Sequence, residues 1–183
     1  VKTPNSQGSK AKMSEVTSWR LLIRALAAGL VAAIAILYFF GNGSSASQGD
    51  NPVGPRSSLS VETSTGVYPY QVEVADNDES RSRGLMFRRS IEPETGMLFD
   101  MGVTRDVAFW MHNTFVPLDI IFISDAGKVV SVTHGAKPQS DARIPSGSPV
   151  RFVLEIASPE AKRIGVEVGD VVRHPVIDAV SGR

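Results

Sequence analysis

The chain contains no cysteine in 183 residues. That excludes a disulfide scaffold, a thiol nucleophile, a lipidated cysteine and any zinc site built on thiolates. Histidine is scarce as well: the three present form neither a His-x-His nor a His-Glu-x-x-His pattern, so no metal or other cofactor is expected. No glycine-rich loop is spaced to cradle phosphate. Ser146 stands in Pro-Ser-Gly rather than in Gly-x-Ser-x-Gly, so a serine-hydrolase elbow is unsupported. There is no internal repeat. Net charge is absent too, but the zero hides an asymmetry. Residues 1–46 carry five basic groups against Glu15 and sum to +4, while the remainder sums to −4. A basic leader before an acidic domain suits export, and it argues against nucleic acid as a partner, which needs a clustered basic face.

What is present falls into four segments. Residues 1–20 are polar and basic. Residues 21–40 are apolar apart from Arg24, and Ala25 to Phe40 run without a charge. At about 1.5 Å per residue a helix of this length reaches roughly 30 Å, enough to cross a bilayer core if Arg24 snorkels. Tyr38-Phe39-Phe40 suits an interfacial aromatic belt, and the reading is an uncleaved membrane anchor. The small pair Ser44 and Ala46 supports the competing reading of a removed signal peptide. Either way, the C-terminal domain lies outside the cytoplasmic membrane, in the periplasm or its equivalent. Residues 41–58, rich in Gly, Ser, Asn and Pro, read as a flexible linker. Residues 59–183 read as the exported domain.

Within that domain the pattern is mainly β. Tyr70, Val72 and Val74 alternate with polar residues, as do Phe152, Leu154 and Ile156 with their neighbours. Short strands are also expected at Met97–Phe99, Val107–His112, Leu118–Ser124, Val129–Val132 and the stretch ending at Val172. Gly127 supplies the positive φ of a hairpin loop at Ser124–Lys128. Two short helices are expected. One follows Asp76 as N-cap, with Glu79 completing a capping box, and ends at Gly84; the other spans Pro159 to Ile164, with Ser158 as N-cap. Leu85, Met86 and Phe87 are expected to enter the core. The sum is a small curled β-barrel or sandwich of about seven short strands and two short helices, preceded by an N-terminal hydrophobic helix.

The polar elbow Asn113–Pro117, between the runs at Val107–His112 and Leu118–Ser124, collects an indole, an imidazole, an amide, a hydroxyl and a carboxylate. The two runs are expected to lie side by side. The candidate ligand-binding residues are Trp110, His112, Asn113, Thr114, Asp119, Arg88, Ser146 and Glu155. Asp119 shares a strand face with Ile121 and Ile123, so it is expected to be buried and to accept elbow N–H groups or pair with Arg88. Trp110 reads first as a core aromatic; exposed beside Asn113 and Asp119, it would instead form a sugar platform. The long loop from Gly135 to Pro149 would cover such a site.

Several separated motifs carry a family likeness: Arg83-Gly84-Leu85-Met86-Phe87-Arg88, Gly96-Met97-Leu98-Phe99, Phe109-Trp110-Met111-His112-Asn113-Thr114, Pro117-Leu118-Asp119-Ile120-Ile121-Phe122-Ile123, Ile144-Pro145-Ser146-Gly147 and Val153-Leu154-Glu155. In these the chain resembles the family called domain of unknown function 192, from roughly Val72 to Val172. The resemblance implies a small, mainly β domain, commonly behind an export signal, with no established activity. His112 departs from the family's frequent lysine, and Thr133-His134-Gly135-Ala136 from its frequent Glu-Asn-Ala.

Three functions fit the residues. The first is a non-catalytic module of the cell envelope that binds a small ligand, a glycan or a peptide, at the elbow. The second is a hydrolase using Asp119 with Glu155, or a metal held by His112 and His134. The third is a structural, partner-binding domain on a membrane tether.

Overall fold

The computed structural model describes residues 53–182. The anchor or signal segment, the basic N-terminus and most of the linker lie outside those residues. Among the described residues no helix is long and apolar enough to cross a membrane.

The domain is mainly β, as its alternating patterns require. A seven-stranded sheet runs in the order β6 (Val129–Ala136), β5 (Leu118–Ile123), β8 (Val150–Ala157), β3 (Thr95–Arg105), β2 (Gly66–Ala75), β1 (Arg56–Thr63) and β9 (Val171–Arg173). All pairs are antiparallel except β2 with β3. That parallel pair needs a crossover, which helix α1 (Asp78–Arg83) and the segment after it supply. The sheet curls until its two end strands meet. Lys128, just ahead of β6, forms an isolated bridge to Val171 of β9, and Val129 N–H donates to the Asp170 carbonyl at 2.9 Å.

All six residues of β5, Leu-Asp-Ile-Ile-Phe-Ile, are buried. The central sheet is therefore covered on both sides, and β5 shows no polar alternation because neither of its faces meets water. One face gathers Leu98, Ile121, Ile123, Leu154 and Ile156, with Ala161 and Ile164 around helix α2 (Glu160–Arg163) and Ile177 of helix α3 (Pro175–Ser181). The other gathers Met97, Phe99, Met111, Leu118, Ile120, Phe122 and Val153. Gly96 sits where β3 and β8 press together: a Cβ there would meet the Glu155 carbonyl oxygen and lie 2.9 Å from Ile156 Cγ2.

Several local expectations are corrected. The run before the elbow does not pair with the run after it. Ala108–Phe109 (β4) pairs instead with Ile144–Pro145 (β7), inside the stretch read as an irregular loop, while β5 lies between β6 and β8. Burial of both faces of β5 takes its partners from the main sheet and leaves β4 outside it. Helix α1 is capped by Asn77, not Asp76; Ser80, not Glu79, closes the capping box, its Oγ accepting from Asn77 N–H at 3.2 Å while its own N–H donates to the Asn77 side chain at 2.9 Å. Gly84 does end that helix, at φ 50°. Of the trio after it only Leu85 is buried in the core; Phe87 is 52% exposed. Helix α2 begins after a cis Ser158–Pro159 bond with no side-chain cap on its N-cap residue, and α3 is an additional helix capped by His174. The hairpin loop at Ser124–Lys128 matches expectation, with Gly127 at φ 70°.

Candidate functional site

Strand register decides which of the carboxylates can act together. Across β5 and β8, Asp119 lies opposite Ile156 and Ile120 lies opposite Glu155. Successive side chains alternate between faces, so Asp119 and Glu155 point to opposite sides of the sheet. They cannot form an acid/base pair, and the hydrolase built on them is ruled out by the pleat.

Asp119 is fully buried beside Ile121 and Ile123, as its strand position requires. Its partners are not the elbow amides and not Arg88. Oδ1 accepts from Gly135 N–H and Oδ2 from Ala161 N–H, both at 2.8 Å. One carboxylate thus fastens the end of β6 and satisfies an orphan donor in the first turn of α2. His134 Nδ1 lies 4.0 Å from Oδ1, too far for a hydrogen bond.

Arg88 is buried and clamps Glu73, not Asp119, with two bonds of 2.7 Å. Burial pushes the Glu73 carboxyl up, but Arg88 and the Val53 N–H at 2.6 Å together hold it below its ordinary value. Ser146 is also structural. Its Oγ accepts from Val107 N–H and donates to the Ser148 carbonyl, pinning the β4–β7 arm.

Glu155 differs from all of these. It is 4% exposed, yet its carboxylate makes no hydrogen bond to any described residue. Burial raises its pKa to about 8, against a smaller lowering by the charge of Arg88. Near neutral pH it is therefore a protonated acid. It lines a cleft of about 40 Å³ together with Arg81, Arg83, Leu85, Met86, Phe99, Phe109, Trp110 and Thr114. A space of this size holds a few waters or one ligand end group, not a whole ligand.

Trp110, read as a core aromatic, is 53% exposed and stands at the cleft rim. Its neighbours Phe109 and Met111 turn into the core, and alternation along the run turns the Trp110 ring outward. Its ring centroid is 5.4 Å from that of His112, whose Nδ1 bonds Asp141 at 2.6 Å. The elbow beneath is braced through the backbone. Asn113 (φ 52°) accepts from Phe87 N–H (φ 67°) at 2.8 Å, and Thr114 accepts from Gln139 N–H (φ 57°) at 3.0 Å. Three non-glycine residues in left-handed conformations, each costing about 1–2 kcal/mol, meet at this one place. The Thr114 hydroxyl donates back to the His112 carbonyl at 3.3 Å. Residues 135–149 do not line the cleft; helix α1 and the segment after it form the wall instead.

Of the candidate residues, the structure brings Trp110, Thr114 and Glu155 to one cleft, with His112 and Asn113 at its edge. Asp119, Arg88 and Ser146 serve the fold. Arg81, Arg83, Met86, Phe99 and Phe109 line the cleft and were not among the candidates; Phe99 and Phe109, 5.0 Å apart edge to face, read only as strand residues. Among the described residues no three histidine or acidic side chains gather as a metal ion would need.

The DUF192 model, described as an uncharacterized ACR, matches residues 60–174. The chain belongs to the DUF192 family. Two solved structures are similar to this DUF192 chain. A protein of Sinorhizobium meliloti 1021, described as a candidate transcription regulator, is 39% identical with a TM-score of 0.64, over 68% of this chain and 97% of that one. A protein of unknown function from Novosphingobium aromaticivorans DSM 12444 is 33% identical with a TM-score of 0.64, over 65% and 85%. No curated protein matches the chain.

Proposed function

We propose that this DUF192 domain is a non-catalytic module that binds a small saccharide of the cell envelope. The ring lies on the exposed face of Trp110, and one polar end group enters the cleft at Glu155. The observation that carries this reading is a half-exposed tryptophan at the mouth of a cleft lined by a buried acid that makes no hydrogen bond to any described residue. A flat indole face covers a pyranose ring, while His112, Asn113 and Thr114 can meet its hydroxyls. A DNA-binding role, which the Sinorhizobium description would suggest, sits poorly with the −4 charge of residues 47–183.

The reading includes an extracytoplasmic location, with residues 21–40 as anchor or export signal. Its support is the charge asymmetry and the uncharged run from Ala25 to Phe40. A reporter fused after Arg183 that is active only outside the cytoplasm tests it; activity only inside would refute it.

Binding is tested by titrating envelope saccharides while following tryptophan fluorescence of the chain. A saturable change, lost in Trp110→Ala with the melting temperature held within a few degrees, is expected. An unchanged signal with every saccharide would end the reading.

A further inference from the structure

Among the described residues the large aromatic side chains left in solvent are Phe87, Trp110 and Phe115, and all of them lie on the elbow or against it. Trp110 belongs to the cleft, but Phe87 and Phe115 do not line it. These two rings meet edge to face at 6.5 Å, beside the wall formed by their neighbours Met86 and Thr114. The Arg89 guanidinium lies over the Phe115 ring, 5.9 Å from its centroid. Phe87 is held outward by its backbone. Its φ of 67° is a left-handed conformation that bulky side chains seldom adopt, and its N–H is tied to the carbonyl of Asn113, itself at φ 52°. Strain that keeps an apolar ring in water stabilises nothing inside the fold, and a patch of this kind marks a surface that something covers.

What covers it follows from where the chain enters the domain. Val53 N–H donates to Glu73 Oε2, the same oxygen that accepts from Arg88, the residue between Phe87 and Arg89. Residues 41–52 join that entry point to the uncharged run ending at Phe40. Fully extended, such a length spans at most about 40 Å. With residues 21–40 in a bilayer, the aromatic knob is held within reach of the lipid surface. Tethering supplies a high effective concentration, so even a shallow contact is populated. The charged side chains on the segments that meet here are of both signs: Arg83, Arg89 and Lys137 with Glu92, Glu94 and Asp141. Nothing in that mixture selects an anionic surface, so the contact is one of apolar insertion.

We infer that Phe87 and Phe115 form a membrane contact, inserting at the boundary between headgroups and acyl chains while the Arg89 guanidinium stays at headgroup level. The cleft then opens beside the bilayer. This goes beyond the saccharide reading and does not need it; it rests on residues 21–40 being a retained anchor.

The test uses the full chain in phosphatidylcholine vesicles whose acyl chains carry bromine near the headgroup, a quencher of nearby tryptophan. Trp19→Phe with Trp110→Phe removes both tryptophans, so the result does not depend on saccharide stacking. Phe115→Trp then places one reporter on the knob. In a second chain Val168→Trp places it beside Gly169, which bonds Val129 at the start of β6, whereas the elbow leads into Leu118, opposite Ala136 at the end of that strand. Both chains are expected to float with the vesicles after an alkaline wash, with the Phe115→Trp reporter quenched and the Val168→Trp reporter not. Adding Phe87→Asn, which suits left-handed backbone and removes the ring, is expected to cut the quenching by at least about half. Flotation without quenching at Phe115→Trp would overturn the contact and leave the anchor reading standing, as would a knob shielded by a second copy of the chain. Equal quenching of the two reporters would overturn the assignment to this face, and full quenching with Phe87→Asn would overturn the role of Phe87. A chain that does not float would overturn the anchor reading, and this contact with it.

Discussion

Replacing Glu155 by Gln should make the chain more stable, and by an amount that depends on pH. The acid titrates near 4.5 when the chain is unfolded and at about 8 when folded. Between those values the folded chain holds a proton that the unfolded chain has released. Stability therefore falls as pH rises, by about 1.4 kcal/mol per pH unit. Over the whole window the loss is roughly 5 kcal/mol, a large part of the 5–15 kcal/mol typical of a domain. Glutamine has nearly the shape of the neutral acid and no proton to lose. Urea unfolding of both chains from about pH 4 to about pH 9 measures the difference directly, since every other titrating group is common to both. Near pH 4 the two should agree within about 1 kcal/mol, because neutral acid and amide fill the same space. The variant should then gain steadily until the difference levels off above pH 8. A difference that stays constant across the range would refute the argument, since Glu155 would then ionise as readily in the fold as out of it.

Other substitutions separate fold from site. Arg88→Met leaves Glu73 buried without its partner and should cost about 3–5 kcal/mol in urea unfolding; a loss below 1 kcal/mol would mean water reaches that carboxylate. Asp119→Ala removes two charge-assisted bonds to backbone and should cost about 3 kcal/mol. Hydrogen exchange at the Gly135 and Ala161 amides should rise selectively, and unchanged protection there would show that something else holds both segments. Gly96→Ala forces a methyl onto the Glu155 carbonyl and should lower stability by about 1–3 kcal/mol by thermal melting; a neutral result would mean β3 and β8 can separate freely.

Much of the fold could be read from residue order. Tyr70-Val72-Val74 and Phe152-Leu154-Ile156 alternate because their strands pack in a consistent pleat, and Gly84 and Gly127 mark ends that require positive φ. Pairing was harder. A strand buried on both faces, such as β5, carries no alternation to say which neighbour it will take, so adjacency in sequence was a poor guide to adjacency in space. The site was legible in part. Trp110 and Glu155 were among the candidates, but in the apolar run Phe109-Trp110-Met111 no residue type says which side chains turn inward and which outward. The pleat alone separates Asp119 from Glu155, and it requires the β5–β8 register, which is a property of the folded sheet. Arg88 and Glu73 lie fifteen positions apart, and no sequence pattern joins them.

The place where the curled sheet meets itself has a kinetic consequence. Closing it needs β9 to pair with β1, Val61 with Val172 from opposite ends of the domain, as well as the Lys128 bridge to Val171, whereas the hairpin of β5 and β6 joins close neighbours. Bringing remote stretches together loses the most chain entropy before any contact repays it. The hairpin should therefore be an early structure and the joint the last to shut. Pulse-labelled exchange during refolding, comparing the Val129 and Val172 amides with those of the β5–β8 ladder, would reveal that order, and simultaneous protection would contradict it.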